Sequence, residues 1–174
     1  MRVMGVVGRS GSGKTTLIES LVPMLREQGL SVSTVKHTHH GVDLDRPGKD
    51  SFRHRTAGAA EVMLVSDQRW VLMREDPVSL DCPRDVTPLL ARMAPVDLVL
   101  IEGFHASCPI AFEVWRPETG KPPLFPDWPN VAAVAAPLDT VLPPTGDDVA
   151  RRLRLDLNDA AAIARFVMSR AVPV

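Results

Sequence analysis

The sequence predicts an α/β fold, a mostly parallel sheet with helices on both faces. Two observations carry this expectation. Short apolar runs alternate along the chain with segments of helical periodicity, and a glycine-rich loop joins the first run to the first helical segment. Sheets covered on both faces bury every strand residue, so their strands read as continuous apolar runs.

Residues 3–7 are such a run. In residues 14–28, Leu17, Leu21 and Leu25 recur at helical spacing with Ile18 and Val22 beside them, and Gly29 supplies the stop. Pro23 lies inside this segment, where it removes one backbone bond and should bend the helix slightly. Residues 31–36 form a second strand and complete a βαβ unit. A polar stretch follows, then a short helix over 51–60 and two strands, 61–65 and 69–73, joined at Ser66, Asp67 and Gln68. A helix is expected over 85–93 and a nearly uninterrupted apolar strand over 96–101. Additional strands fall at 111–115 and 131–135, and helices at 147–153 and 159–170 close the chain, with Asp159 or Asn158 as the last cap. Residues 117–129, rich in proline, read as a long surface loop rather than an interdomain linker, and no internal repeat occurs. The expectation is a single domain over residues 1–174.

Composition narrows the function. The 174 residues are 45% apolar, enough for a core of ordinary size. A net charge of −1 disfavours a dedicated nucleic-acid binder. No apolar run approaches the ~18 residues of a membrane span, and the N-terminus lacks the pattern of a signal peptide. Cys82 and Cys108 are expected to be free thiols in a reducing cytoplasm.

The strongest chemistry lies at Gly8-Arg9-Ser10-Gly11-Ser12-Gly13-Lys14-Thr15, which matches G-x-x-x-x-G-K-[ST], the P-loop. The glycines permit backbone angles that turn successive amides inward around a phosphate chain. The helix that follows adds its N-terminal dipole and unpaired N–H groups. Lys14 reaches the β- and γ-phosphates, and the Thr15 hydroxyl ligates Mg²⁺. A second element, residues 97–103, is an apolar strand that delivers Glu102 at its carboxyl end, where ligands of open α/β sheets sit. Glu102 thereby faces the Mg²⁺ shell, while Gly103 lets the chain pass near the phosphates. Asp97, at the opposite end, reads as a strand-entry acid.

The third feature is the loop after the second strand, which begins Lys36-His37-Thr38-His39-His40. The histidine spacing is poor for a structural zinc site, with no cysteine pair nearby. A substrate, partner or switch loop fits better. Asp43, Asp45 and Asp50 can approach the metal once a γ-phosphate draws the loop in, and Lys36, Lys49, Arg53 and Arg55 can meet the phosphate of an anionic second ligand.

The loop "KHTHHGVDLDRPGKDSFRHRTAGA", the "SDQRW" turn and the "DLVLIEGFH" strand together resemble the molybdopterin-guanine dinucleotide biosynthesis adapter proteins, MobB. The resemblance extends through "FEVWRPETGKPPL" to "LDLNDAAAIARFV". It implies a dimeric, GTP-binding P-loop protein with at most slow hydrolysis. Such a protein assists attachment of GMP to molybdopterin by the nucleotidyltransferase MobA. By position, Gly8 to Thr16, including Ser10, Gly11, Ser12, Gly13 and Thr15, hold the phosphates and Mg²⁺. Asp45, Asp50 and Glu102 fall at acidic positions facing them, Lys14, Asp50 and Glu102 as the catalytic set and Thr15, Asp45 and Glu102 as the metal set. Lys36, His37, Arg53 and Arg55 serve the cofactor or partner side. Where the family's usual form is EGFK, this chain has His105 after Phe104.

The choice of GTP over ATP rests on that resemblance, because the N/T-K-x-D guanine motif is absent. Asp139, after the strand at 131–135, reads as a turn residue, with acceptance from the guanine N1 and N2 groups as its alternative role. The alternative function is a small-molecule kinase, with Asp45 or Asp50 as the acceptor's base and Arg53 and Arg55 clamping the transition state.

Overall fold

The computed structural model describes residues 1–38, 44–75, 86–104, 108–143 and 152–174. These fall into two compact units, residues 1–37 with 83–174, and residues 38–82. No helix among the described residues is long and apolar enough to cross a membrane.

The larger unit is built on one sheet. Its strands are β1 (Arg2–Val7), β2 (Val32–Lys36), β5 (Leu98–Glu102), β6 (Ala111–Val114), β7 (Val131–Ala136) and β8 (Leu153–Asp156), with a terminal β9 (Val172–Pro173). The order is β2-β5-β1-β6-β7-β8, every neighbouring pair parallel. β9 joins antiparallel to β1 at Arg2 and Val3, ahead of the point where β6 takes over at Gly5. The predicted α/β class is therefore what the chain adopts.

Both sheet faces are buried, and β1 shows why its run is apolar throughout. Met4 and Val6 face one core, formed with Leu98, Leu100, Phe112 and Val114. Over it pack α1 (Lys14–Glu27), through Leu17, Leu21 and Leu25, and the last helix α4 (Ala160–Arg170), through Ile163, Phe166 and Val167. Each such buried side chain contributes about 1.5–3 kcal/mol. Gly29 at φ 82 ends α1 as expected, and Asp159 caps α4 by accepting from the Ala162 N–H at 2.8 Å.

Val3, Val99 and Ile101 face the opposite core, which is closed by Val86 and by Leu90 of α3 (Thr87–Leu90). Over β6 and β7 that face is covered by the loop after β6. Proline content alone suggested a surface loop, but Leu124 and Phe125 are buried against Val7, Val131 and Val134. The loop is an apolar plug with a polar exterior.

Two other expectations change. The helix expected over 147–153 cannot include Leu153, which opens edge strand β8 beside β7; residues 147–151 lie outside the described residues. The helix expected over 85–93 is regular only over Thr87–Leu90.

The smaller unit holds α2 (Asp50–Thr56) and an antiparallel hairpin of β3 (Glu61–Val65) and β4 (Trp70–Arg74), paired Val65 to Trp70 and Met63 to Leu72. Met63, Val65, Trp70 and Leu72 share one face of it and are exposed.

Candidate functional site

The site grows from the turn between β1 and α1. Gly8 leaves the sheet at φ 140, and a Cβ there would lie 2.3 Å from the Val114 carbonyl oxygen. Gly11 and Gly13 take φ 84 and 96, and Gly13 is the N-cap of α1. The loop thus reaches the helix N-terminus through left-handed positions that favour glycine. Ser12 is buried at its floor, its hydroxyl among the few buried polar atoms with no hydrogen-bond partner. Lys14 Nζ lies over the loop and donates to the Gly8 and Arg9 carbonyls at 2.8 and 3.0 Å.

β5 brings the acid. It is adjacent to β1, with Val6 paired to Glu102, so its carboxyl end lies beside the start of α1. Thr15 Oγ1 donates to Glu102 Oε1 at 3.2 Å. On the other side of β5 the register pairs Lys36 with Glu102, and Lys36 Nζ stands 3.4 Å from Oε1. The hydroxyl and carboxylate are hard oxygen donors of the kind Mg²⁺ takes. A groove of about 530 Å³ opens between α1 and β2, lined by Ile18, Val22 and Val32 and ending at Thr15, Lys36 and Glu102. Asp97 has the expected strand-entry role: it accepts from the Ser31 N–H and hydroxyl at 2.8 and 2.6 Å, which holds its carboxyl below the usual carboxylate range.

Gly103, at φ 88, leaves little room for a side chain: a Cβ there would lie 3.2 Å from the His37 carbonyl oxygen. The His37 ring packs on Phe104 at 4.8 Å, and the His37 backbone N–H donates to the Glu102 carbonyl at 2.9 Å. His37 therefore braces the end of β5. Of the histidine cluster, His39 and His40 lie outside the described residues, as do Asp43, Cys82 and His105. Among the described residues no group of three His, Cys, Asp or Glu side chains could hold a metal ion.

The second set of predicted residues belongs to the smaller unit. Asp45 accepts from the Ser51 hydroxyl at 2.6 Å and faces Arg55 Nε at 3.6 Å, while Arg55 also pairs with Glu75 at 2.6 Å. Asp50 and Arg53 are exposed, 3.9 Å apart. Thr15 and Glu102 thus come together, whereas Asp45 is engaged within its own unit.

Sequence reasoning missed the surroundings of the loop. Glu113 on β6 is wholly buried, and its carboxylate accepts from the Leu124 and Phe125 N–H groups at 2.8 Å each. Burial pushes its pKa up, against the lowering pull of those two N–H groups. Arg9 Nε donates to the Pro122 carbonyl at 3.2 Å, tying the same plug to the P-loop. Arg116 Nε comes within 3.6 Å of the position a Gly13 Cβ would take. The available signal was an acid inside an apolar strand, followed by the basic, glycine-containing Arg116 to Lys121 segment. Glu113→Ala should strip the acceptor from both N–H groups and cost about 1–3 kcal/mol, read as a lower urea midpoint; an unchanged midpoint would mean the plug holds without it.

Burial lowers the Lys14 pKa; Glu102 opposes this, and the cations of Lys36 and Lys121 add to it. A chain of net charge −1 therefore gathers cations around one glycine loop at a helix N-terminus. That arrangement can take a polyanion such as a phosphate chain.

The model of the family "Molybdopterin guanine dinucleotide synthesis protein B" matches residues 3–137. The chain belongs to that family. It is 40% identical over 163 residues to the molybdopterin-guanine dinucleotide biosynthesis adapter protein of Escherichia coli (strain K12), covering 91% of this chain and 87% of the relative. The adapter protein of the same name in Haemophilus influenzae is 37% identical over 171 residues, covering 95% and 86%. Among solved structures, one titled as molybdopterin-guanine biosynthesis protein B superposes with a TM-score of 0.70 at 25% identity, over 96% of this chain and 98% of that one. Bacillus subtilis MobB superposes with a TM-score of 0.71 at 24% identity over the full length of both chains, a likeness of fold. Both structures share the α/β architecture described above.

Proposed function

We propose that this protein is a GTP-binding adapter in molybdopterin-guanine dinucleotide biosynthesis. It holds Mg²⁺·GTP on Gly8 to Thr16 and assists a partner nucleotidyltransferase that attaches GMP to molybdopterin in the cytoplasm. The observation that carries this reading is the contact of Thr15 with Glu102 at the carboxyl edge of β1 and β5, beside a loop whose cations suit a triphosphate. The names of the curated relatives support the biosynthetic role. The homodimer that the family resemblance implies is supported by the exposed apolar hairpin face of Met63, Val65, Trp70 and Leu72, an uncommon thing to leave in water. Of the two bases in the kinase alternative, Asp45 is held against Ser51 and Arg55, which leaves only the exposed Asp50 for that role.

Calorimetric titration with GTP and then ATP, each with Mg²⁺, tests the reading. Selective GTP binding, followed by stimulation of guanylylation when the nucleotidyltransferase is added, is the expected result. Equal affinity for ATP, or rapid phosphate transfer to a small acceptor, would overturn it. Within this reading Glu102→Gln keeps the shape of the carboxylate but removes its charge. Mg²⁺-dependent GTP binding should weaken by roughly 10-fold, about the worth of one charge-assisted contact, and Mg²⁺-free binding should change less. Equal losses under both conditions would remove Glu102 from the metal shell.

A further inference from the structure

The ammonium of Lys36 stands where two oxygen donors converge. Its Nζ is 3.4 Å from Glu102 Oε1 and 3.5 Å from Thr15 Oγ1, and those two oxygens are themselves 3.2 Å apart. The triangle is fixed from below. β2 and β5 are parallel neighbours in which Lys36 and Glu102 are register partners, and the His37 N–H holds the Glu102 carbonyl at 2.9 Å. Lys14, the other nearby cation, is turned to the Gly8 and Arg9 carbonyls. Glu102 is nearly buried at its side chain, 12% exposed, whereas Lys36 is 60% exposed and lines the groove between α1 and β2. The carboxylate is fixed and the ammonium has room to move.

We propose that Lys36 is a built-in counter-cation of the Thr15–Glu102 pair, one that a divalent ion must displace to complete the triphosphate site. The inference rests on the reading of Gly8 to Thr16 as a Mg²⁺-triphosphate site. Thr15 and Glu102 cannot serve an ammonium and a divalent ion together at this spacing, because like charges a few ångströms apart repel strongly where solvent is partly excluded. Lys36 carries its charge on a flexible four-carbon stem, so the groove accepts it when it yields. Two consequences follow. With Lys36 in place, Thr15 and Glu102 remain together before a metal arrives, and the γ-phosphate meets a cation even without one. The same residue reduces the benefit that the metal brings, since the metal replaces a charge already present. Binding linkage is reciprocal, so removing Lys36 must raise the metal's effect on nucleotide and the nucleotide's effect on metal by one factor.

The experiment is calorimetric titration of GTP into wild type, Lys36→Met and Lys36→Arg, each at a series of Mg²⁺ concentrations that includes EDTA, with thermal midpoints recorded alongside. For Lys36→Met, Mg²⁺-free GTP affinity should fall by roughly 3- to 10-fold while affinity at saturating Mg²⁺ stays near wild type, so the gain on adding Mg²⁺ grows by the same factor. Lys36→Arg should retain the wild-type gain. Equal losses with and without Mg²⁺ would make Lys36 an ordinary phosphate ligand, and no change in either would make it a surface lysine; both outcomes overturn the inference and leave the P-loop reading standing. Failure of the wild type to bind GTP at all would overturn that reading and the inference with it. Should Lys36→Met unfold, Lys36→Gln makes the same comparison with a polar stem.

Discussion

Lys14→Ala should lower GTP affinity by about 10²- to 10³-fold, the worth of two charge-assisted contacts to phosphate oxygens, with little change in folding stability. The asymmetry follows from what the side chain touches. Among the described residues its Nζ bonds only to the Gly8 and Arg9 carbonyls of its own loop, so its loss leaves the core packing of α1, at Leu17, Leu21 and Leu25, untouched. Calorimetry with circular dichroism at the same concentration separates the two effects. Undiminished affinity would sink the assignment of the loop, and a collapsed fold would mean that Lys14 is structural. The pH dependence has a definite sign. Burial lowers the Lys14 pKa in the free protein, and a bound triphosphate, being anionic, raises it. Affinity is therefore full below the free-state pKa and falls as pH rises through it, earlier than an ordinary lysine would dictate. Lys14→Ala should abolish that alkaline decline, leaving only titrations elsewhere.

The features of the site that could be read from the sequence are those whose partners are local or whose chemistry is fixed by spacing. The P-loop announces itself because glycine, lysine and threonine must stand at set intervals between a strand and a helix. Glu102 was legible because an acid ending an apolar strand must lie at the sheet's carboxyl edge, and the parallel pairing of β1 with β5 puts it beside Thr15. What stayed hidden depends on contacts far along the chain. Glu113 looks like an ordinary strand residue until Leu124 and Phe125 return their N–H groups to it. The plug itself was misread because proline content reports exposure on average, while two apolar residues in it decide the packing. β8 was missed for a related reason. Leu153–Asp156 is short and half polar, as an edge strand is, and only its pairing with β7 makes it a strand. Lys36 was legible as a cation for an anionic ligand, but its place against Glu102 is set by sheet register, which spacing along the chain does not give.

Gly8→Ala should cost about 3–5 kcal/mol of stability, the sum of overpacking and left-handed strain, and should lose GTP binding as well. The new methyl group would meet the Val114 carbonyl oxygen at 2.3 Å, with Ser12 Oγ at 2.9 Å on another side. The backbone carbonyl is not easily moved. Val114 is paired to Ala135 in β7, and the adjacent Trp115 N–H donates to the Ala135 carbonyl at 3.0 Å. The β1 end must therefore shift, and the loop amides shift with it. Gly11→Ala separates strain from contact. Gly11 also has a positive φ, of 84, but a Cβ there meets nothing within 4 Å. It should cost only about 1–2 kcal/mol, the left-handed penalty for a residue with a Cβ. Urea midpoints of the two variants measure the difference directly. Equal costs would show that backbone angle, not the approach of β6, requires glycine at position 8. A larger cost at Gly8 would show that the loop's shape is set by the strand beneath it, so that the glycine loop and the β1–β6 pairing form one structure.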